Sequence, residues 1–164
     1  MHHIVHHRPH GLWPEKQAEG SVTLDFDARH RRRITFKSDQ GEELLLDLPK
    51  AVAMADGDGL RTSDGRWLRV RAALEPVVEI RHGDPRQFAR LAWHLGNRHL
   101  PTEIRADALR IRPDHVIEEM LERHGATLTA MEAAFQPEGG AYGGHTHGGH
   151  DHGHDHHHHH DHEH

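Results

Sequence analysis

Apolar and polar residues alternate in short runs through the first half of the chain. Ser21-Val-Thr-Leu-Asp-Phe-Asp27 puts Val22, Leu24 and Phe26 on one face, the pattern of a half-buried strand. Arg33-Ile-Thr-Phe36 and Glu43-Leu-Leu-Leu-Asp-Leu48 follow closely, and Pro49 closes the third run because it cannot donate to a ladder. Asp64-Gly65, between Leu60-Arg-Thr62 and Trp67-Leu-Arg-Val70, predicts a hairpin, since glycine accepts the positive φ of its turn. Short strands at this spacing predict a small sheet or sandwich over residues 1–73.

Beyond Ala73 the period changes. Pro76-Val-Val-Glu-Ile80 reads as a strand. Asp84-Pro85 opens a helix, with Asp as cap, Pro in the first turn and Gln87 at the capping-box position. Phe88, Leu91, Ala92 and Leu95 share its apolar face, and Gly96 is the expected stop. Thr102-Glu-Ile-Arg105 and Ala108-Leu-Arg-Ile-Arg112 predict two strands. Pro113-Asp114 starts a second helix, which carries Val116, Ile117, Met120 and Leu121 and stops at Gly125. Thr127-Leu-Thr-Ala-Met131 is a last strand. The order β-α-β-β-α-β predicts a ferredoxin-like domain over residues 74–138. The fold class is therefore α+β, an N-terminal all-β domain followed by the ferredoxin-like one. A disordered histidine-rich C-terminal tail is expected over residues 139–164.

Composition changes this picture in one respect. Of 164 residues, 23 are histidine and none is cysteine. The missing thiols exclude disulfides, thiolate metal sites and a cysteine nucleophile. Twelve of the histidines are His145, His147, His150, His152, His154, His156, His157, His158, His159, His160, His162 and His164. This terminal segment also holds four acids and no Lys or Arg, so the remainder carries 20 basic against 22 acidic residues. Such a balance speaks against nucleic acid as a partner. No apolar run approaches the ~20 residues of a membrane span. The first residues lack the apolar core of a signal peptide, so a cytoplasmic location is expected.

Neutral imidazole suits Ni(II), Zn(II) and Cu(II). A dozen imidazoles on one segment offer many overlapping ligand sets, which favours capacity over geometric selectivity. A purification tag is normally one unbroken run, whereas here only His156 to His160 are consecutive. A second signal is His94-Leu-Gly-Asn-Arg-His99, with His94 in the last turn of the first helix and His99 just past its end. This is not the HExxH spacing of zinc hydrolases and includes no carboxylate base. Asp56-Gly-Asp58-Gly lacks the later oxygen ligands of a calcium loop and predicts a turn. Arg29-His-Arg-Arg-Arg33 reads as a solvated sheet edge. GxSxG, Walker A and GxGxxG motifs are all absent.

Together these strings identify a resemblance. Trp93-His-Leu-Gly-Asn-Arg-His-Leu-Pro101, Arg112-Pro-Asp-His-Val116, and Phe135-Gln-Pro-Glu-Gly-Gly-Ala-Tyr142 ahead of the histidine tail resemble the urease accessory protein E (UreE) family of nickel metallochaperones. Asp47-Leu-Pro49 and Asp56-Gly-Asp-Gly59 fit its first domain. The resemblance implies a partner-binding N-terminal β domain and a homodimer formed through the second domains. It implies that His99 is the central metal ligand, one from each subunit across the two-fold axis. Some members carry a His-x-His pair downstream; here its first position is Pro113, leaving His115 as a candidate ligand. The implied function is delivery of Ni(II) to apo-urease through the urease accessory GTPase, without catalysis. The alternative is general Ni/Zn storage or buffering with no delivery role. Zn(II) and Cu(II) are expected to bind in vitro. His2, His3, His6, His7 and His10 have no counterpart in the resemblance; they are either a second metal-binding arm or have no metal role.

Overall fold

The computed structural model describes residues 1–139. Residues 140–164 of the expected disordered tail, with its twelve candidate ligands from His145 to His164, lie outside the described residues.

The first part is a single mixed sheet of six strands: β1 (His2–Arg8), β2 (Ala18–Leu24), β3 (Arg33–Lys37), β4 (Glu43–Asp47), β5 (Gly59–Thr62) and β6 (Trp67–Ala72). Their spatial order is β2-β6-β5-β1-β4-β3. The β5–β6 hairpin forms as expected, with Gly65 at φ 90° in its turn. Ile4, Val22, Leu44, Leu46, Leu60, Leu68 and Val70 point into one core and are at most 1% exposed. Each such side chain contributes roughly 1.5–3 kcal/mol by leaving water.

The pattern of apolar positions did not predict β1. Five of the first ten residues are histidines, which hide the inward-facing Ile4. Nevertheless β1 lies mid-sheet, parallel to β4 with His2 opposite Leu44, and antiparallel to β5 with His7 opposite Leu60. The Asp56-Gly57 turn is confirmed. Asp58, expected only to be part of that turn, is a buried hub. Its carboxylate accepts from His7 Nε2 at 2.7 Å, from the His10 amide at 2.8 Å and from the Ala55 amide at 2.9 Å.

The second part is ferredoxin-like. Strands β7 (Leu74–Arg81), β8 (Glu103–Ile104), β9 (Leu109–Ile111) and β10 (Thr127–Ala134) form an antiparallel sheet in the order β10-β7-β9-β8. Helices α1 (Pro85–Asn97) and α2 (His115–Arg123) pack Leu91, Leu95, Ile117 and Leu121 against Val78, Ile80, Leu109 and Ile111. Asp84 caps α1 by accepting from the Arg86 amide, and Asp114 caps α2 by accepting from the Val116 and Ile117 amides.

The two parts meet at Phe26, Val77 and Phe135, which form a small buried cluster. Arg112 ion-pairs with Asp27 at 3.0 Å and lies over the Phe26 ring, and Glu75 accepts from the Phe26 amide. Arg29 departs from the expected solvated edge: it is 1% exposed, in the middle of a short 3-10 turn ahead of β3. Its guanidinium donates to the carbonyls of Leu24 and Met54 in the first part and of Phe135, just past β10, which ties the first part to the second.

Candidate metal centre

Both helices end in the same hydrogen-bonded motif. At α2 the Gly125 amide reaches the Glu122 carbonyl and the Ala126 amide reaches Leu121. Gly125 adopts φ 82°, the left-handed conformation that this closure requires. At α1 the His99 amide reaches Gly96 and the Leu100 amide reaches Leu95. Here the left-handed position, φ 53°, is filled by His99. The helix thus runs past Gly96, the expected stop, because the turn closes three residues later on His99. Among the described residues His99 is the only non-glycine with positive φ. Holding an L-residue there costs on the order of 1 kcal/mol relative to glycine.

That conformation turns an exposed imidazole into a groove of about 310 Å³. The groove is lined by Ala92, Gly96, His99, Leu100, Thr102, Ile104 and Glu138. Glu138 arrives there because the chain after β10 is fastened down. Buried Glu103 accepts from the Gln136 amide at 2.8 Å, and the Glu138 amide donates to the Thr102 carbonyl at 2.8 Å. The last described residues therefore leave the fold beside His99.

His115 opens α2 and is exposed. The preceding residues Pro113 and Asp114 line a second depression, which shares Leu100 with the His99 groove. No group of three or more His, Asp or Glu side chains positioned to hold a metal occurs among the described residues. His99 and His115 consequently do not form a complete ligand set within one described chain. The N-terminal histidines are partly committed elsewhere: His2 pairs with Glu42 at 3.0 Å, His7 with Asp58, and His10 with Glu15 at 2.7 Å.

Buried carboxylates support the frame. Burial pushes the Glu79 carboxyl up, but hydrogen bonds from Arg81 and Arg110 outweigh it and hold the group below the ordinary glutamate range. Arg110 also reaches Glu103, so the charge network ties β7, β8 and β9 together beneath the chain exit. Sequence reasoning missed Glu103 and His124. Each acts through a partner distant in the chain, which no local spacing can reveal.

Residues 1–73 match the N-terminal domain of the UreE urease accessory protein, and residues 75–164 match its C-terminal domain. The chain is 56% identical over 138 residues to the urease accessory protein UreE of Bradyrhizobium sp. strain ORS 278, covering 83% of this chain and 65% of that protein. It is 55% identical over 139 residues to the UreE of Rhodopseudomonas palustris strain BisB18, covering 85% of this chain and 65% of that protein. The UreE of Chelativorans sp. strain BNC1 is 54% identical over 134 residues, covering 82% of this chain and 85% of that protein. The alignment thus spans just under two thirds of the length of the first two relatives.

Proposed function

This chain belongs to the UreE urease accessory protein family, and from that membership we propose that it is a nickel metallochaperone. It binds Ni(II) and hands it to apo-urease through the urease accessory GTPase complex, in the cytoplasm, without making or breaking a substrate bond. No described helix is long and apolar enough to cross a membrane.

The single observation that carries this reading is His99 in a left-handed helix terminus where glycine is the unstrained choice. A strained imidazole in an open groove is a device for presenting a ligand. One imidazole holds an ion weakly, so the reading requires ligands from a second source. A homodimer supplies one: Ala92 and Gly96 are small residues one helical turn apart beside His99, and a Cβ built on Gly96 meets nothing within 4 Å. A second copy approaching this face brings two His99 side chains to one axis. The tail supplies another. His145 follows Glu138 by seven residues, a reach of at most about 25 Å. In this scheme the tail collects ions, and His99 holds the one that is transferred.

The test is reconstitution of urease from apo-urease, its accessory GTPase complex and nickel supplied only on this protein. The wild-type dimer should bind the GTPase and yield active urease, and His99→Ala should bind the GTPase but yield much less. A protein that carries nickel yet neither associates with the GTPase nor raises urease activity is a storage or buffering protein instead.

A further inference from the structure

His94 was singled out in the sequence for its spacing to His99, but it does not line the His99 groove. It belongs to a different group of side chains. On α1 it faces His124, the residue that caps the C-terminus of α2, with ring centroids 4.9 Å apart and planes inclined by 27°. We propose that His94 and His124 form a second metal site, a bis-imidazole chelate within one subunit that takes Ni(II), Zn(II) or Cu(II).

The ring spacing fits a chelate. An imidazole nitrogen binds these metals at about 2.0–2.1 Å, which places the ring centroid about 3.2 Å from the ion. Two such ligands at about 90–110° to each other have centroids about 4.5–5.2 Å apart. The observed 4.9 Å lies inside that range, so the separation of the two rings already matches that of a chelating pair.

The backbone around the pair is fixed. His82 receives the Asp84 amide on Nδ1 at 3.0 Å, which leaves its Nε2 as the protonated nitrogen. Nε2 donates to the His124 carbonyl at 3.2 Å. A Cβ on Gly125 would lie 3.1 Å from that same nitrogen, so His82 sits tight against the end of α2. With both ring nitrogens engaged, His82 is a positioning residue and not a ligand. His94 lies in the last turn of α1 and His124 at the cap of α2, so both helices direct the negative ends of their dipoles toward a cation there. His94 is half-buried and His124 exposed, which leaves a path for the ion and room for water in the remaining coordination positions. With two protein ligands the site is weaker than one with three or four, and it exchanges its ion readily.

The test is residue-resolved acylation of histidines in the full-length chain with diethylpyrocarbonate, mapped by mass spectrometry across a Zn(II) or Ni(II) titration. His94 and His124 should lose reactivity together over one range of metal concentration. Replacing His124 by Ala, or by Asn as a second cap-compatible variant, should abolish the metal protection of His94 and leave that of His99 unchanged. The converse should hold for His94→Ala. The proposal is overturned if His94 and His124 stay reactive at saturating metal, or if His94 remains protected in both His124 variants. It stands or falls independently of nickel delivery to urease, because the readout is occupancy of these two side chains.

Discussion

The guanidinium of Arg29, ahead of the third strand, donates to the carbonyl of Phe135, just past the last strand of the second sheet. Phe135 also opens the segment that Glu103 and Thr102 fasten beside the His99 groove. One buried side chain thus joins the two parts of the molecule at the point from which the tail departs.

Replacing Arg29 by Met keeps the volume and removes every donor. The carbonyls of Leu24, Met54 and Phe135 then lose their partners in a dry site, at a cost of about 3 kcal/mol. Arg29→Lys should recover only part of this, since an ammonium lacks the guanidinium's planar fork. Urea titration of the three proteins measures the ranking. A Met variant as stable as the wild type would mean that Arg29 does not clamp the junction.

At position 99 stability and function should move in opposite directions. His99→Gly relieves the left-handed backbone and should stabilise the fold by about 0.5–1 kcal/mol, whereas His99→Ala keeps the strain. Both should lose the tightest nickel site and retain the dimer. Thermal melts, calorimetry and sedimentation of the two variants separate backbone from ligand. Unchanged tight binding in either would exclude His99 as the central ligand.

Deleting residues 145–164 should remove most of the bound nickel, on the order of four to six ions per dimer at four to six ligands each, and spare the tightest site. Imidazole binds only when unprotonated, and its ordinary pKa is roughly 6.5, so loading of the tail should be high near pH ~7.5 and mostly gone by pH ~5.5. Nickel titrations of both lengths at several pH values read this directly. A full-length protein that stayed loaded at about pH 5 would be using its carboxylates.

Acid should loosen the frame through Glu79. Burial alone would raise its carboxyl, but the bonds from Arg81 and Arg110 leave it depressed. Asp58 is depressed in the same way, burial being outweighed by bonds from His7 and the amides of Ala55 and His10. A carboxylate lowered in the folded state stabilises fully above its unfolded pKa of roughly 4, and that contribution disappears as pH falls through the folded value. Unfolding free energy should therefore fall steeply below about pH 4. Glu79→Gln should cost about 1–3 kcal/mol near neutrality and flatten the decline. Denaturant titrations from neutral to acid pH give both quantities, and an unaltered acid slope in the variant would rule out Glu79 as a source.

The ferredoxin-like part was legible because its signals are local. Asp84 and Asp114 cap the helices that they announce, and Phe88, Leu91 and Leu95 repeat at helical period. The first sheet was legible strand by strand from Ser21 onward, but its order was not. β1 pairs with residues 44 to 46 and 59 to 62, β2 with residues 67 to 72, and histidine does not announce which face of a strand it occupies. Arg29 was misread for a related reason: the four residues after it are His30 and three arginines, and the carbonyls that turn this one arginine inward include those of Met54 and Phe135, far off in the chain. His99 was singled out through its motif. The strain that presents it was visible only in the backbone.

The place of β1 in the sheet also sets an order of events. Its neighbours are β4 and β5, so the first strand of this sheet to be made can join β4 once residue 47 has followed it, but is not paired on both sides until residue 62 has. Without β1, the sheet falls into two unconnected ribbons, β2-β6-β5 and β4-β3. Assembly of this part waits on a closure about 60 residues long, a contact of the non-local kind that slows folding. A chain released early, or one whose leading residues are blocked by a fusion, has the strands of its first sheet but lacks the piece that unites them.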